Sequence, residues 1–405
     1  MSKMKIGIVV IGYNRINSIA RVLNRLNDCE YPHNAVPLVV SLDNCGSPEI
    51  FNYANQFNWL HGEKKVFLQP ERLGLRKHVL KCGTYMTEFG WDAQIVLEDD
   101  VYPSSAFYIY SMQAVNKYCG DRRIAGISLF SLNRNQAANY PFVPAQSKYD
   151  VYFAQLAQSC GQVWMRDQWS EFIDWYNVVN DTYTPCDRVP FNVRRWPETS
   201  WLKYHICYCI EKNKWFPYPY QSLTTNFSDV GSNTQVKNKT LQIPLQNEPK
   251  AEYLFPDLFD DTAYYDAWCE NISLAKLLRI KEDKLCIDLY GAKHNHENRR
   301  YWLTTLPAPY KTIMTFGLEL MPMDMNVICN LPGNEIFLYD TSESGTTPET
   351  DDRDLSMWSF FNRIPYPDPA ILKLSKPMYQ RIWKNRLKLL RHPLKLVDKI
   401  WKRIH

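Results

Sequence analysis

Short apolar runs alternate with segments of helical periodicity through the first hundred residues. Residues 6–11 are apolar throughout. From Ser18 to about Cys29, Ile19, Val22, Leu23 and Leu26 share one helical face, with Arg21 and Arg25 opposite. A second apolar run at 36–42 closes on Asp43-Asn44-Cys45-Gly46, a turn sequence. A helix is predicted over 48–57 and a short strand over 65–68. A further helix opens at Leu73-Gly74-Leu75-Arg76 and runs through Val79, Leu80 and Met86. Ile95-Val96-Leu97 then reads as a central strand that runs straight into Glu98-Asp99-Asp100. This alternation predicts an α/β fold, a mostly parallel Rossmann-like sheet flanked by helices on both faces.

Farther on, residues 124–130 read as another strand. Residues 133–148 are polar, with Pro141 and Pro144, and predict a mobile loop of the kind that covers a ligand site. Ser159-Cys160-Gly161-Gln162-Val163-Trp164 precedes a predicted helix from Asp167 through Trp175. A helix over 202–210 is entered at Thr199 or Ser200, residues of the N-cap type. Residues 216–220 lead into a segment, 222–233, that contains Gly231. From 246 the pattern changes. A helix is predicted around 264–280 and strands at 285–290, 301–305, 311–320 and 335–339. The expected organisation is a domain over 1–245, an extension over 246–340, a Ser/Thr/Asp/Pro-rich linker over 341–371 and a tail over 372–405.

The overall charge of +4 in 405 residues hides an asymmetry. The tail from Leu372 holds eleven Lys and Arg against Asp398 alone, a balance of +10, so the preceding 371 residues carry −6. Within it Ile382, Trp383, Leu387, Leu390, Leu394, Val397, Trp401 and Ile404 recur at spacings of three and four or their sums, and Pro393 divides the pattern. Trp and Leu on one side with Lys and Arg on the other predict an interfacial helix on anionic lipid; docking on the acidic body is the plainer alternative. Nucleic acid is not the expected partner, because the charge is confined to one tail with no recognition module beside it. The 11 cysteines are scattered singly with no CxxC pair, the usage of a reduced, cytosolic protein. No apolar segment approaches transmembrane length, and the first apolar run is too short for a signal-peptide core. Aromatic residues make up 14% of the chain, which suits a stacking surface for a ring-shaped ligand and equally suits core filling.

The candidate chemistry lies where predicted strands end. Three adjacent carboxylates repel one another, and a hard divalent cation that carries a diphosphate relieves them; a solvated acidic turn is the bland alternative. Asp43, after the second strand, is placed to accept hydrogen bonds from a nucleobase or ribose, or simply to cap its own turn. Arg72, Arg76, Lys77 and His78 are cationic groups near a helix start, suited to a diphosphate or to plain solvation. His294 and His296 offer two imidazoles, but with no third ligand at useful spacing a surface loop is preferred. Neither a Walker A loop nor GxGxxG occurs, which argues against kinases and dinucleotide enzymes.

Gly12-Tyr13-Asn14-Arg15, Val39-Val40-Ser41-Leu42-Asp43-Asn44-Cys45-Gly46, Arg76 and Val96-Leu97-Glu98-Asp99-Asp100 occur in order. In order and separation they resemble GT-A fold glycosyltransferases, family 2 and the N-acetylglucosaminyltransferase I-like group, over roughly residues 5–235. The resemblance implies that Tyr13, Arg15 and Asp43 contact the base and that Arg76 sits near the diphosphate. It also implies Asp100 as direct metal ligand for Mn2+ or Mg2+, Asp99 on the ribose or a metal-bound water, and Glu98 against the nucleotide from behind. Trp164 would lie beside the donor sugar, with core packing as the alternative.

The sequence departs from this pattern at Leu202-Lys203, where inverting relatives carry an acidic pair after a Trp that matches Trp201. Glu198 and then Asp229 are the remaining candidates for the general base; for Glu198, a helix-start acid is the alternative. The expectation is a metal-dependent glycosyltransferase that moves a sugar from a nucleoside diphosphate, UDP first, to a hydroxyl of a glycan. Inversion and a lipid-linked acceptor are expected, in surface polysaccharide assembly such as lipopolysaccharide or capsule. The enzyme would be cytoplasmic and held peripherally at the inner membrane face by its tail. Two other readings stay open: a non-catalytic relative that serves as a membrane-bound assembly partner, which Leu202-Lys203 favours, and a sugar nucleotidyltransferase, which Tyr13-Asn14-Arg15 disfavours because that class carries a Gly-rich first loop.

Overall fold

The structure is a computed structural model that describes residues 4–33, 35–179, 183–231, 239–260, 263–293, 296, 298–350 and 352–363. The chain divides into two compact units, Met1–Pro348 and Glu349–His405. In the first unit, β1 (Ile6–Gly12), α1 (Ile16–Asn27), β2 (Leu38–Leu42), α2 (Glu49–Gln56), β3 (Lys64–Leu68), α3 (Leu75–Cys82), α4 (Tyr85–Glu88) and β4 (Ala93–Glu98) follow in order. All seven residues of β1 and all five of β2 are buried, as expected for strands covered on both faces. Helix α1 buries Ile19, Val22, Leu23 and Leu26, the predicted face. Gly7 allows close packing within this layer, since a Cβ there would lie 2.2 Å from the Trp91 ring.

Strand β5 (Val101–Pro103) and α5 (Phe107–Tyr118) come next, then β6 (Ile127–Ser128), β7 (Arg134–Asn135), β8 (Tyr140–Pro141), β9 (Val151–Ala154) and β10 (Gln162–Met165). Helices α6 (Arg166–Val179), α7 (Phe191–Arg194) and α8 (Trp201–Glu211) precede β11 (Phe216–Pro219) and β12 (Thr224–Asn226). Ser200 caps α8 by accepting from Lys203 N at 3.4 Å. The six-stranded central sheet has the order β3-β2-β1-β4-β10-β6. Strands β1 to β4 are mutually parallel, while β10 runs antiparallel to β4 and β6. The expected α/β architecture, a mostly parallel sheet flanked by helices, is therefore present. The antiparallel strands on one side are an addition that alternation alone did not predict.

The order reverses between β1 and β4. The chain builds outward from β1 through β2 to β3, then returns to the other side of β1 for β4. Such a switch point opens a crevice at the carboxyl edge of a sheet. Ile11 pairs with Glu98 and Gly12 with Leu42, so the segments after β1, β2 and β4 leave the sheet side by side.

The second half of the unit differs from expectation. Tyr264 and Tyr265 form β13 (Tyr264–Tyr265), which pairs with β9, and only α9 (Leu274–Leu277) of the helix expected over 264–280 forms. An Asx turn breaks it: Asp266 Oδ1 accepts from Trp268 N at 2.8 Å and Glu270 N at 3.0 Å. A four-stranded sheet of β14 (Leu285–Asp288), β15 (Tyr301–Thr304), β16 (Tyr310–Phe316) and β17 (Ile336–Ser344) follows, with α10 (Met325–Ile328) between its last two strands. Residues 246–340 thus lie inside the first compact unit and pair with it through β13. The expected linker over 341–371 is partly structured. Strand β17 continues to Ser344 because β16 offers it a partner, with Tyr310 opposite Ser344. In the second unit, α11 (Arg353–Asn362) is capped by Asp352. The tail over 372–405 and His294 lie outside the described residues; His296 Nδ1 bonds Arg299 O at 3.0 Å. All eleven cysteines are free thiols, seven of them buried. Among the described residues no helix is long and apolar enough to cross a membrane.

Candidate functional site

A cavity of about 410 Å3 opens at the switch point. Tyr13, Asn14 and Arg15 line it from the loop after β1, Asp43 from the end of β2, and Glu98, Asp99 and Asp100 from the end of β4. Arg72, Gly74, Leu75 and His78 close the side toward α3, while Thr199 reaches it from the turn before α8 and Gly231 from the segment after β12. Six of the residues expected at the nucleotide and metal, Tyr13, Arg15, Asp43, Glu98, Asp99 and Asp100, are thereby brought to one cavity from three strand ends.

Strand β4 ends at Glu98, so Asp99 and Asp100 sit in the turn between β4 and β5. Both are almost buried, at 3% and 7% exposure. Arg15 spans them. Its Nε and Nη2 donate to the two oxygens of Asp99, the Nε bond at 3.1 Å, and Nη1 donates to Asp100 Oδ2 at 3.0 Å. Asn226 Nδ2 donates to Asp100 Oδ1 at 2.9 Å, and Phe227 N donates to Asp100 O. Strand β12, the antiparallel partner of β5, thus reaches back to the acids, with Asn226 opposite Val101.

The charges shift one another. Burial together with the charges of Asp100 and Asp99 pushes Glu98 up to about 8, against the pull of Arg15 and Trp201. Burial also pushes Asp99 up to about 6, and the Arg15 bonds limit the rise. Burial opposes the charge of Arg15, but Asp99 and Asp100 outweigh it and hold the guanidinium above its ordinary range. A three-acid cluster is accommodated here because the upward shift of Glu98 favours its neutral form and one arginine grips the other two acids.

Asp43 is buried, and its carboxylate accepts from Asn44 N and Leu73 N through Oδ1 and from Gly74 N through Oδ2, at 2.8–2.9 Å. That is the turn-capping role, and it also fixes the start of α3, where Gly74 has φ +76°. Arg72 stands over the Tyr13 ring at 5.0 Å, a cation–ring pair on the cavity wall. His78 Nε2 bonds Ser41 Oγ at 2.8 Å, and burial pushes its pKa down to about 4, so it is neutral.

Four expected site residues lie elsewhere. Arg76 Nη1 donates to Tyr204 OH at 2.9 Å, away from the cavity lining. Trp164 is fully buried in the core, stacked on Trp169 at 3.7 Å with its Nε1 on Gln162 Oε1 at 2.8 Å. Its place on β10 against Gln94 turns it into the core, the packing role that the sequence left open beside a place at the donor sugar. Glu198 is bound by Lys203 Nζ at 2.6 Å and by Tyr204 OH. Burial would raise it, but Lys203 and Tyr204 outweigh burial and hold it below the usual carboxylate range. Asp229 pairs with Arg21 and accepts from Ser18 Oγ at 2.8 Å; these bonds outweigh burial and hold it low as well. Neither acid lines the cavity, although the neighbouring Thr199 and the nearby Gly231 do. The Asp229 carbonyl accepts from Arg15 Nη1 at 2.9 Å, so one arginine ties this loop to the acid cluster.

The sequence reading left Thr199, Gly231 and Asn226 unassigned at the cavity. Asn226 carried no signal, because nothing local links it to Asp100, 126 residues away. Arg72 was one of four cations at the helix start, and only its contact with Tyr13 singles it out.

The fold and the site together define an open-sheet α/β protein with a charged ligand cleft at its switch point. No protein-family profile matches the chain, and no curated protein matches it in sequence. Among solved structures it is similar to a mannosyltransferase from Pyrobaculum calidifontis in complex with GDP-Man and Mn2+, at 15% identity over 42% of this chain and 46% of that one, TM-score 0.29. It is also similar to residues 1–349 of S. aureus TarS, at 12% identity over 56% of this chain and 61% of that one, TM-score 0.34. The same TarS fragment in complex with UDP-GlcNAc matches at 14% identity over 38% of this chain and 35% of that one, TM-score 0.24. The chain spans less than two thirds of each of these proteins.

Proposed function

We propose that the chain is a glycosyltransferase that takes a sugar from a nucleoside diphosphate, UDP first, and passes it to a hydroxyl of a glycan. One observation carries the reading. The ends of β1, β2, β3 and β4 bring Tyr13, Arg15, Arg72 and four acids, Asp43, Glu98, Asp99 and Asp100, to one cavity at the switch point. Rings and backbone suit a base, the two arginines suit a diphosphate, and the acids suit a cation that arrives with it.

The chemistry of the donor set, two adjacent carboxylates at the cavity, suits such a cation. Asp100 and Asp99 are the residues that would hold Mn2+ or Mg2+, with substrate phosphates completing the shell. Among the described residues no group of three or more His, Cys, Asp or Glu could hold a metal by itself, so a bound ion would depend on the nucleotide. The ion would supply positive charge to the departing diphosphate. Arg15 and Arg72 do the same from the protein side as the sugar–phosphate bond breaks and the acceptor oxygen bonds to the sugar carbon. Glu198, beside cavity-lining Thr199, is our first choice to take the acceptor proton and Asp229 the second; the expected course is inversion. The basic tail supports an acceptor and an enzyme at an anionic membrane face, hence a lipid-linked glycan of surface polysaccharide assembly.

The test is thermal-shift titration with UDP, UDP-sugars, GDP-sugars and nucleoside triphosphates, each with and without Mn2+. Stabilisation by a nucleoside diphosphate that grows with Mn2+ is expected. A response to triphosphates alone makes the chain a nucleotidyltransferase instead. The engagement of Glu198 by Lys203 and of Asp229 by Arg21 favours a second reading, a non-catalytic relative. That reading requires nucleotide binding without release of UDP from any UDP-sugar.

A further inference from the structure

A second cavity, about 630 Å3, lies apart from the charged one and shares no lining residue with it. Its walls come from Ser131–Asn133, the Phe142–Gln146 segment, Tyr220–Ser222 and residues 243–248. Among the described residues Glu248 is its one carboxylate, and no Lys, Arg or His lines it. A phosphorylated or acidic ligand would find no counter-charge there. Five primary amides do line it: Asn133, Gln146, Gln221, Gln246 and Asn247. Each amide both donates and accepts, which is the pairing that sugar hydroxyls need. Two of them are held in fixed planes. Asn133 Nδ2 donates to Thr240 O at 2.9 Å, and Gln246 Nε2 donates to Glu248 O at 2.7 Å and Tyr253 OH at 2.6 Å. Apolar wall between the amides is supplied by Val143, Pro144 and Ile243, a surface for the C–H face of a ring.

The groove is wired to the acids. Ser222 lines it, and Asn226, four residues farther on at the end of β12, holds Asp100. Four residues span at most about 14 Å. Residues 241–246 run alongside: Asn226 N donates to Leu241 O, and Gln246 N donates to Ser222 O. One end of this ribbon holds Asp100 through Asn226 and the other forms the groove wall.

We infer that this groove binds an uncharged saccharide chain, with the end to be extended directed toward the acid cluster. The assignment rests on the glycosyl-transfer reading and adds to it the place and the neutral character of the second substrate. The test uses the full chain with neutral hexaoses of glucose, mannose and N-acetylglucosamine, and with an oligogalacturonate as the charged probe. Hydrogen exchange and saturation-transfer NMR follow binding. At least one neutral hexaose is expected to bind and to protect residues 131–146 and 243–248. The double variant Gln221→Ala/Asn247→Ala should weaken that binding about tenfold, as expected for two lost hydrogen bonds, while stabilisation by UDP persists. Absence of binding by every neutral hexaose overturns the assignment. So does a preference for the oligogalacturonate, or protection confined to residues 13–15 and 98–100. UDP stabilisation without hexaose binding sinks the groove alone; hexaose protection of the groove without any nucleotide response sinks the transferase reading and leaves a saccharide site.

Discussion

At the scale of single residues, Arg15 and His205 show opposite ways to bury a charge. Arg15 neutralises Asp99 and Asp100 and ties down the Asp229 carbonyl with one planar fork. Arg15→Ala leaves two buried carboxylates uncompensated and should cost about 2–4 kcal/mol in denaturant unfolding. Arg15→Lys should recover little, because an ammonium cannot fork across two acids. Mn2+ should raise the Tm of Arg15→Ala at concentrations that leave the wild type unmoved, since the ion then meets acids without a resident cation. His205 solves the problem by staying neutral. It is fully buried among Phe172, Trp169 and Trp201, and neither ring nitrogen has a hydrogen-bond partner among the described residues. Burial pushes its pKa down to about 3. A depressed histidine contributes stability that is present above its ordinary pKa of about 6.5 and is lost as pH falls toward 3, up to about 4–5 kcal/mol. His205→Phe should therefore flatten the acid limb of the stability–pH curve between those values and be neutral or stabilising at pH 7.

At the scale of elements, the cavity depends on how helices sit on the sheet. Helix α3 carries Leu75 and His78 to the cavity and ends at Gly83 beneath α6. A Cβ on Gly83 would lie 2.0 Å from Trp169 Nε1. Gly83→Ala should cost about 1–3 kcal/mol through overpacking, read as a lowered Tm with an unchanged far-UV spectrum. The helix start was legible in Gly74 and Arg76, and the apolar faces of α1 and β1 follow from spacing alone. The antiparallel placement of β10 was not legible: Gln162–Met165 reads as any short strand until β4 is there to pair with it. Trp164 was undecided for the same reason. A tryptophan three residues after a glycine can face a ligand or the core, and only its register against Gln94 decides. The failed helix over 264–280 marks a different limit. The Asx turn at Asp266 overrode a helical pattern that looked adequate over a longer window.

At the scale of the whole molecule, the charge divides between body and tail. Deletion of residues 372–405 should leave stabilisation by UDP and Mn2+ unchanged. It should abolish sedimentation with phosphatidylglycerol vesicles, and the wild-type interaction should weaken as salt rises from about 0.05 to 0.5 M. Retained vesicle binding after the deletion would move the membrane contact to the body and remove the case for a tail anchor.

The order of strands and helices, the acids at the end of β4 and the turn at Asp43 are local facts, and the sequence determined them because periodicity and turn chemistry act over a few residues. The tertiary structure decided which strand ends meet. It set β4 beside β1, laid Arg15 across Asp99 and Asp100, brought Asn226 to Asp100, and took Arg76, Trp164, Glu198 and Asp229 out of the cavity lining. Pairings between residues scores of positions apart follow from sheet order and packing, which no local pattern encodes.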